Sequence, residues 1–338
     1  MSVGRSATLA VNHATGGAVA VIPDASVDGT LFPVSVSHVY NASATNDTTY
    51  GGKWRLNYDM RIEATPNTRH PDTTLTGGYV YTDGDGTDHY FYKDSSTGRY
   101  VDEDGLGLTM VIDSSSNDRY LVFDKSKTKM TFNTSGRLIR ITDSVGNTNE
   151  ITRDSSGRIT TIADGAGWEY KFTYVSGRLQ SLMDPGSRVT TYGYDSAGQL
   201  TTVTYADGLK TTVNYTNGQL SYLASDADAL AVTYDTATPP RVYTVTHRSA
   251  TNASEVGEKT SFAYRYRATT VSDRAGNSCT YQFNQYLQTV CAVVRGDGQA
   301  DGTAQSWRYG ASGKNSTTNT RNRVQLASAA QRSTVNQA

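Results

Sequence analysis

TYGYDSAGQLTTVTYADG, residues 191–208, is one line of a phrase that recurs through the middle of this 338-residue chain and decides its fold class. The others are TFNTSGRLIRITDSVGN from Thr131, EITRDSSGRITTIADGAG from Glu150, KFTYVSGRLQSLMDPGS from Lys171 and TVNYTNGQLSYLASDAD from Thr212. Their shared glycines are Gly136, Gly157, Gly177, Gly198 and Gly218, at intervals of 21, 20, 21 and 20. A fixed period in this range marks one supersecondary unit stacked many times.

Each unit opens on an aromatic or β-branched run such as Phe172-Thr173-Tyr174 or Tyr192-Gly193-Tyr194. A short polar run ending in Gly follows, then Arg or Gln, then Leu or Ile. Asx and Ser side chains bond to their own backbone and start a turn, and Gly supplies the left-handed residue that closes a hairpin. A second turn ends the unit, as at Asp164-Gly165, Asp184-Pro185-Gly186 and Asp207-Gly208. Strand, turn, strand, turn is a β-hairpin. The second strand carries apolar residues three apart: Leu138/Ile141, Ile159/Ile162, Leu179/Leu182, Leu200/Val203 and Leu220/Leu223. Strict two-residue alternation does not give that spacing, and the segments are too short and glycine-bounded for helices. A bulge that re-aims the second apolar residue accounts for it. The expected fold is all-β, with stacked β-hairpin repeats forming a curled, spiral sheet.

These lines resemble the Rhs, or YD-repeat, family, whose signature of Tyr-Asp, Gly-Arg-Leu and Asp-x-x-Gly-Asn is found at Tyr194-Asp195, Gly136-Arg137-Leu138, Gly157-Arg158-Ile159 and Asp143-Ser144-Val145-Gly146-Asn147. A remote copy is Asp273-Arg274-Ala275-Gly276-Asn277. Val11-Asn12-His13-Ala14-Thr15-Gly16-Gly17, Pro33–Asn41 and Gly52-Lys53-Trp54-Arg55-Leu56 resemble the segment preceding the repeats in wall-associated and secreted bacterial members. The resemblance implies a β-strip that spirals into a hollow shell. In bacterial members the shell usually encloses a C-terminal toxin, released by an aspartate-containing self-cleaving core. In teneurins, the animal relatives, a similar barrel serves adhesion. The core motif of paired Asp-Pro-x-Gly steps and a variable toxin domain are not recognisable before Ala338, so the family's catalytic residues map onto no position here. The implied function is a structural segment of a toxin-delivering, polymorphic-toxin shell, secreted or at the cell wall, and not an enzyme. Its partners would be downstream repeats and a C-terminal toxin domain, with a cell-surface glycan-binding or adhesive module as the alternative.

Composition agrees with broad, half-wet sheets: 23 Tyr against 7 Phe, with 19% charged residues. The formal net charge of −1 gives no electrostatic case for nucleic acid. No apolar stretch has membrane length, and no signal peptide is recognisable in the segment. The sequence divides into a pre-repeat segment (1–64), irregular hairpins (65–129), five clear repeats (130–229), degenerate repeats (230–294) and a Gly/Ser/Asn-rich tail (295–338) that resembles a truncated linker. If Phe283 and Leu287 flank a three-residue turn, Cys279 lies opposite Cys291, in place for a cross-strand disulfide; two free, half-buried thiols are the alternative.

Asp83-Gly84-Asp85-Gly86-Thr87-Asp88 and Asp102-Glu103-Asp104-Gly105 bring carboxylates into glycine-rich turns, as calcium loops do, yet the full twelve-residue pattern is absent and plain hairpin turns are the favoured reading. His13, His38, His70, His89 and His247 have no metal-ligand spacing. Gly310–Ser316 lacks the leading glycine of a phosphate loop. No catalytic, cofactor-binding or metal-binding residue is expected. Trp54, Trp168 and Trp307 are the candidates for stacking on sugar rings, against a purely structural use of the aromatics in cross-strand packing.

Overall fold

The computed structural model describes residues 1–3, 7–28, 31–64, 78–93, 99–102, 106–123, 125–252, 256–285, 287–299, 302–308 and 323–326. All 29 regular elements among them are β-strands, and from Arg61 onward each described strand pairing, apart from the isolated Arg61–Arg137 bridge, joins sequence neighbours in antiparallel fashion. Stacked hairpins are therefore the architecture, as the repeat period requires.

The hairpin chemistry is visible atom by atom. Asp154 Oδ1 accepts the N–H groups of Ser156 and Arg158, and its Oδ2 accepts Arg158 Nε at 2.8 Å. Asp195, Asp143 and Asp273 each accept the N–H four residues on in the same way. Gly136, Gly157 and Gly198 end such turns at φ of 75°, 81° and 81°. Gly177 and Gly218 sit instead in two-residue turns with Ser176 and Asn217, where both residues have positive φ, the geometry that matches strand twist. The 20-residue intervals end at these shorter turns.

One extra residue per repeat explains the apolar spacing. Gly193 pairs with Thr202 but Tyr194 pairs with Leu200, leaving Thr201 as a bulge. Ile139, Thr160 and Gln180 are left over in the same way. The bulge returns residue i+3 to the face of residue i, so Leu179 with Leu182, and Leu200 with Val203, are all completely buried.

The strands gather into two compact units. The first comprises Ser2–Thr8 and Val19–Val213. Here the strip curls: Ile62 N–H donates to Gly136 O and Leu138 N–H to Met60 O, although the strands between them pair in order. The Ala18–Ser26, Ser35–Asn41 and Trp54–Leu56 strands form a second layer; the first and third alternate buried and half-buried residues, and His38–Asn41 of the second are all buried. That layer is pinned to the strip through its backbone, because Tyr170 Oη donates to Val34 O, Thr190 Oγ1 to Asp24 O and Tyr205 Oη to Pro23 O.

The second unit comprises Met1, Leu9–Ala18 and Asn214–Ala338. Its Asn12–Gly17 turn lies on the strip, with Val242 N–H donating to Gly16 O and the His13 ring 4.4 Å from that of Tyr281. In this unit the expected cysteine register is not realised. The turn closes between Asn284 and Gln288 instead of Phe283 and Leu287, so that Phe283 pairs with Thr289, two positions on, and a bulge at Gln282/Phe283 adds a third. Cys279 pairs with Val294 and Cys291 with Gln282, an offset of three positions that places the two side chains on opposite faces. Both thiols are free, so the cross-strand disulfide is replaced by the alternative reading.

Candidate functional site

The recurrent functional element is a clasp between consecutive hairpins. Tyr174 Oη donates to Ile159 O at 2.8 Å, Tyr194 Oη to Leu179 O at 2.7 Å, Tyr234 Oη to Leu220 O at 2.7 Å and Tyr264 Oη to Val242 O at 2.7 Å. Each acceptor is the first or second residue of the strand that follows the preceding turn. The residue just before the acceptor is often an Arg that lies over the same Tyr ring: Arg158 on Tyr174 at 4.8 Å, Arg178 on Tyr194 at 6.0 Å and Arg241 on Tyr264 at 4.5 Å. Such contacts contribute about 0.5–1 kcal/mol at exposed sites. Burial pushes the Tyr174 hydroxyl up to about 12, which keeps it a donor. The Tyr-Asp and Gly-Arg-Leu signatures thus encode two halves of one contact, a partnership that a linear reading of either motif does not reveal.

The polar groups singled out in the sequence fall into separate places. Asp83 Oδ1 accepts the N–H of Asp85 and Thr87, Asp83 Oδ2 lies 3.2 Å from His89 Nε2, and Asp88 accepts the Thr82 hydroxyl. These carboxylates serve their own turn. Burial and the neighbouring Asp83 raise the Asp85 carboxyl, while the contacts to His89 and the turn lower Asp83 against its own burial. Asp102 accepts the N–H of Gly107; Glu103 and Asp104 lie outside the described residues, as do His70 and Gly310–Ser316. No cluster of three or more metal-ligating side chains occurs among the described residues.

His38 pairs with Asp24 at 2.7 Å, both side chains fully buried. Asp24 faces the Tyr192 phenol, and burial raises its carboxyl against the pull of His38. His38 Nε2 meets no partner among the described residues, and the ring packs on Tyr192 at 4.7 Å. The pair joins two strands of the second layer, reaches the strip only through the Tyr192 ring and, without solvent access, is not a dyad open to substrate. His13 packs on Tyr281, and His247 stands 3.9 Å from Asp228. Trp54 is buried against Tyr40. Trp168 alone of the three tryptophans is strongly exposed, at 48%, beside a 490 Å³ cavity lined by Lys171, Met183 and Pro185. Trp307 is half-buried.

A family model described as RHS Repeat matches residues 175–220, and the model of a domain of unknown function, DUF6531, matches residues 9–91. No curated protein matches. Among solved structures, TcdB2-TccC3 is 13% identical with a TM-score of 0.36, covering 92% of this chain and 20% of its own. A Tc holotoxin pore from Photorhabdus luminescens is 13% identical with a TM-score of 0.34, covering 94% and 19%. A porin-like protein from Bacteroides uniformis is 10% identical with a TM-score of 0.28, covering 59% and 82%. The chain spans about a fifth of the two Tc structures it matches, and the TM-scores lie below what a shared fold requires. The repeat model spans the hairpins of Gly177, Gly198 and Gly218, and the same clasp recurs outside the match at Tyr174 and Tyr264, so the middle of the chain carries repeats of the Rhs, or YD, type.

Proposed function

We propose that this chain is a wall segment of an Rhs-type β-shell that encapsulates a C-terminal toxin cargo and assists its delivery from a secreted or surface-associated bacterial protein. The observation that carries this reading is the clasp: successive hairpins are bonded by the backbone ladder and, at Tyr174, Tyr194, Tyr234 and Tyr264, by a Tyr hydroxyl, three of these beneath an Arg, with no convergent acid, base and nucleophile among the described residues. Confinement is then the mechanism, since a wall of paired backbone denies a protease the extended segment it needs. The partners are further repeats and the toxin domain of a longer chain. The segment itself turns over no substrate, and a broad glycoside, peptide and phosphoester screen tests that.

The direct experiment places this chain in its complete reading frame and follows limited proteolysis of the C-terminal region by mass spectrometry. Protection that disappears when the tyrosine clasps are replaced by Phe supports confinement. A C-terminal region digested equally fast with and without this segment refutes it. A second reading, a glycan-binding surface, is favoured by the exposed indole of Trp168 beside its cavity; loss of glycan-array binding on Trp168→Ala is its test.

A further inference from the structure

A cavity of 760 Å³ in the first unit is lined by four cationic side chains, Lys53, Arg55, Arg61 and Arg137. Four carboxylates line it too, but each is committed elsewhere or remote. Asp59 pairs with Arg153 at 2.9 Å, Asp88 accepts the Thr82 hydroxyl at 2.6 Å, and Asp47 accepts Thr49 N–H at 2.8 Å. Glu63 is mostly exposed and stands 3.9 Å from Arg61. The Lys53 ammonium donates to Ala42 O and the Arg55 guanidinium to Asp59 O, both backbone carbonyls, while Arg137 stands 3.8 Å from the already paired Asp59. None of the four cations has a carboxylate oxygen at hydrogen-bonding distance among the described residues. Arg55 Nε is buried with no partner among the described residues.

A second, independent feature is the strand register. Arg61 and Arg137 oppose each other in an antiparallel bridge, so their side chains rise from the same face. Like charges directly opposite destabilise a sheet. Burial lowers the Arg55 pKa, and Arg61 lowers it further against the pull of Asp59, Asp83 and Asp88; burial also lowers Lys53. The curl that brings the Arg61–Ala64 strand onto the Gly136 turn is what sets this repulsion in place.

We propose that this cavity is an oxyanion site, taking a phosphate or sulfate group, free or carried on a larger molecule, between Arg55, Arg61 and Arg137, with Lys53 at its margin. Guanidinium forks suit such oxygens through paired, charge-assisted hydrogen bonds, and a bound dianion converts the repulsion of Arg61 and Arg137 into a shared contact. The site is independent of whether the wall encloses a cargo.

The test uses the 338-residue chain in thermal melts and calorimetric titrations at matched ionic strength, with inorganic phosphate, sulfate, glycerol 3-phosphate or chloride. Saturable binding of phosphate and sulfate with a raised Tm, and no such effect of chloride, is expected. Arg61→Gln should raise the Tm in chloride by relieving the like-charge pair and weaken phosphate binding by roughly tenfold or more. Arg137→Gln should do the same, which guards against one variant misfolding. Glycerol 3-phosphate binding as well as phosphate assigns an open site for a phosphate on a larger molecule, and its exclusion assigns a free-ion site. Absence of saturable binding by phosphate and sulfate overturns the proposal. So does a lowered Tm in chloride with an unchanged phosphate response in both variants, which would make the arginines structural.

Discussion

Tyr194→Phe removes a single oxygen and interrogates the clasp. The wild-type hydroxyl donates to Leu179 O at 2.7 Å on the neighbouring strand, beyond the end of the ladder at Ser181/Thr191. A neutral hydrogen bond of this kind contributes about 0.5–1.5 kcal/mol net, and the part-buried carbonyl left behind loses its donor, which adds to the cost. The phenylalanine ring still fills the space and still presents a face to Arg178, which lies 6.0 Å from the ring centre. The expected loss is therefore about 1–2 kcal/mol, or about 2–8 °C in Tm at the 2–4 °C per kcal/mol typical of units of 150–250 residues. Tyr264→Phe makes the same deletion in the other unit, where Tyr264 Oη donates to Val242 O at 2.7 Å. The two losses should add to within about 0.5 kcal/mol, since the sites share no partner. Circular-dichroism melts and urea titrations of the two single variants and the double variant measure this. An unchanged Tm in both single variants would refute the view that the Tyr-Asp signature exists to bond one hairpin to the next.

Gly157 has φ of +81° and open space where a side chain would project, so Gly157→Val should cost about 1–2 kcal/mol from backbone strain alone, and Gly157→Asn clearly less; equal costs would remove the left-handed requirement. Asp273 is held below the usual carboxylate range by hydrogen bonds from Asn277, against a small burial penalty. Its contribution is present above the unfolded pKa and disappears as pH falls from about 4 towards the folded value, so Asp273→Asn should flatten the acid limb of a Tm–pH curve, and an unaltered limb counts against the turn assignment. Calcium should bind no tighter than about millimolar, because Asp83 and Asp85 already accept turn N–H groups; micromolar affinity lost on Asp85→Ala would reverse that reading. The unreduced chain should contain two titratable thiols, Cys279 reacting faster than Cys291, whose burial raises its pKa; a mass lower by two hydrogens would restore the disulfide.

What the sequence by itself determined was local. The five glycines, the Asx turns and the three-apart leucines each report on backbone within one hairpin, and their period carries the all-β, stacked-hairpin architecture. The bulge was legible because both apolar residues must reach one face. Long-range partnership was not legible. Nothing local shows that the Tyr194 hydroxyl meets the Leu179 carbonyl, or that His38 is buried against Asp24. The cysteine register failed because the shifted turn moves the pairing by two residues and the bulge by one more, and an odd total inverts the face assignment. The cationic cavity depended on tertiary structure most of all. Arg61 and Arg137 are far apart in the chain and unremarkable in composition, and only the curl of the strip sets them opposite each other, because curvature accumulates over many hairpins and is written in no one of them.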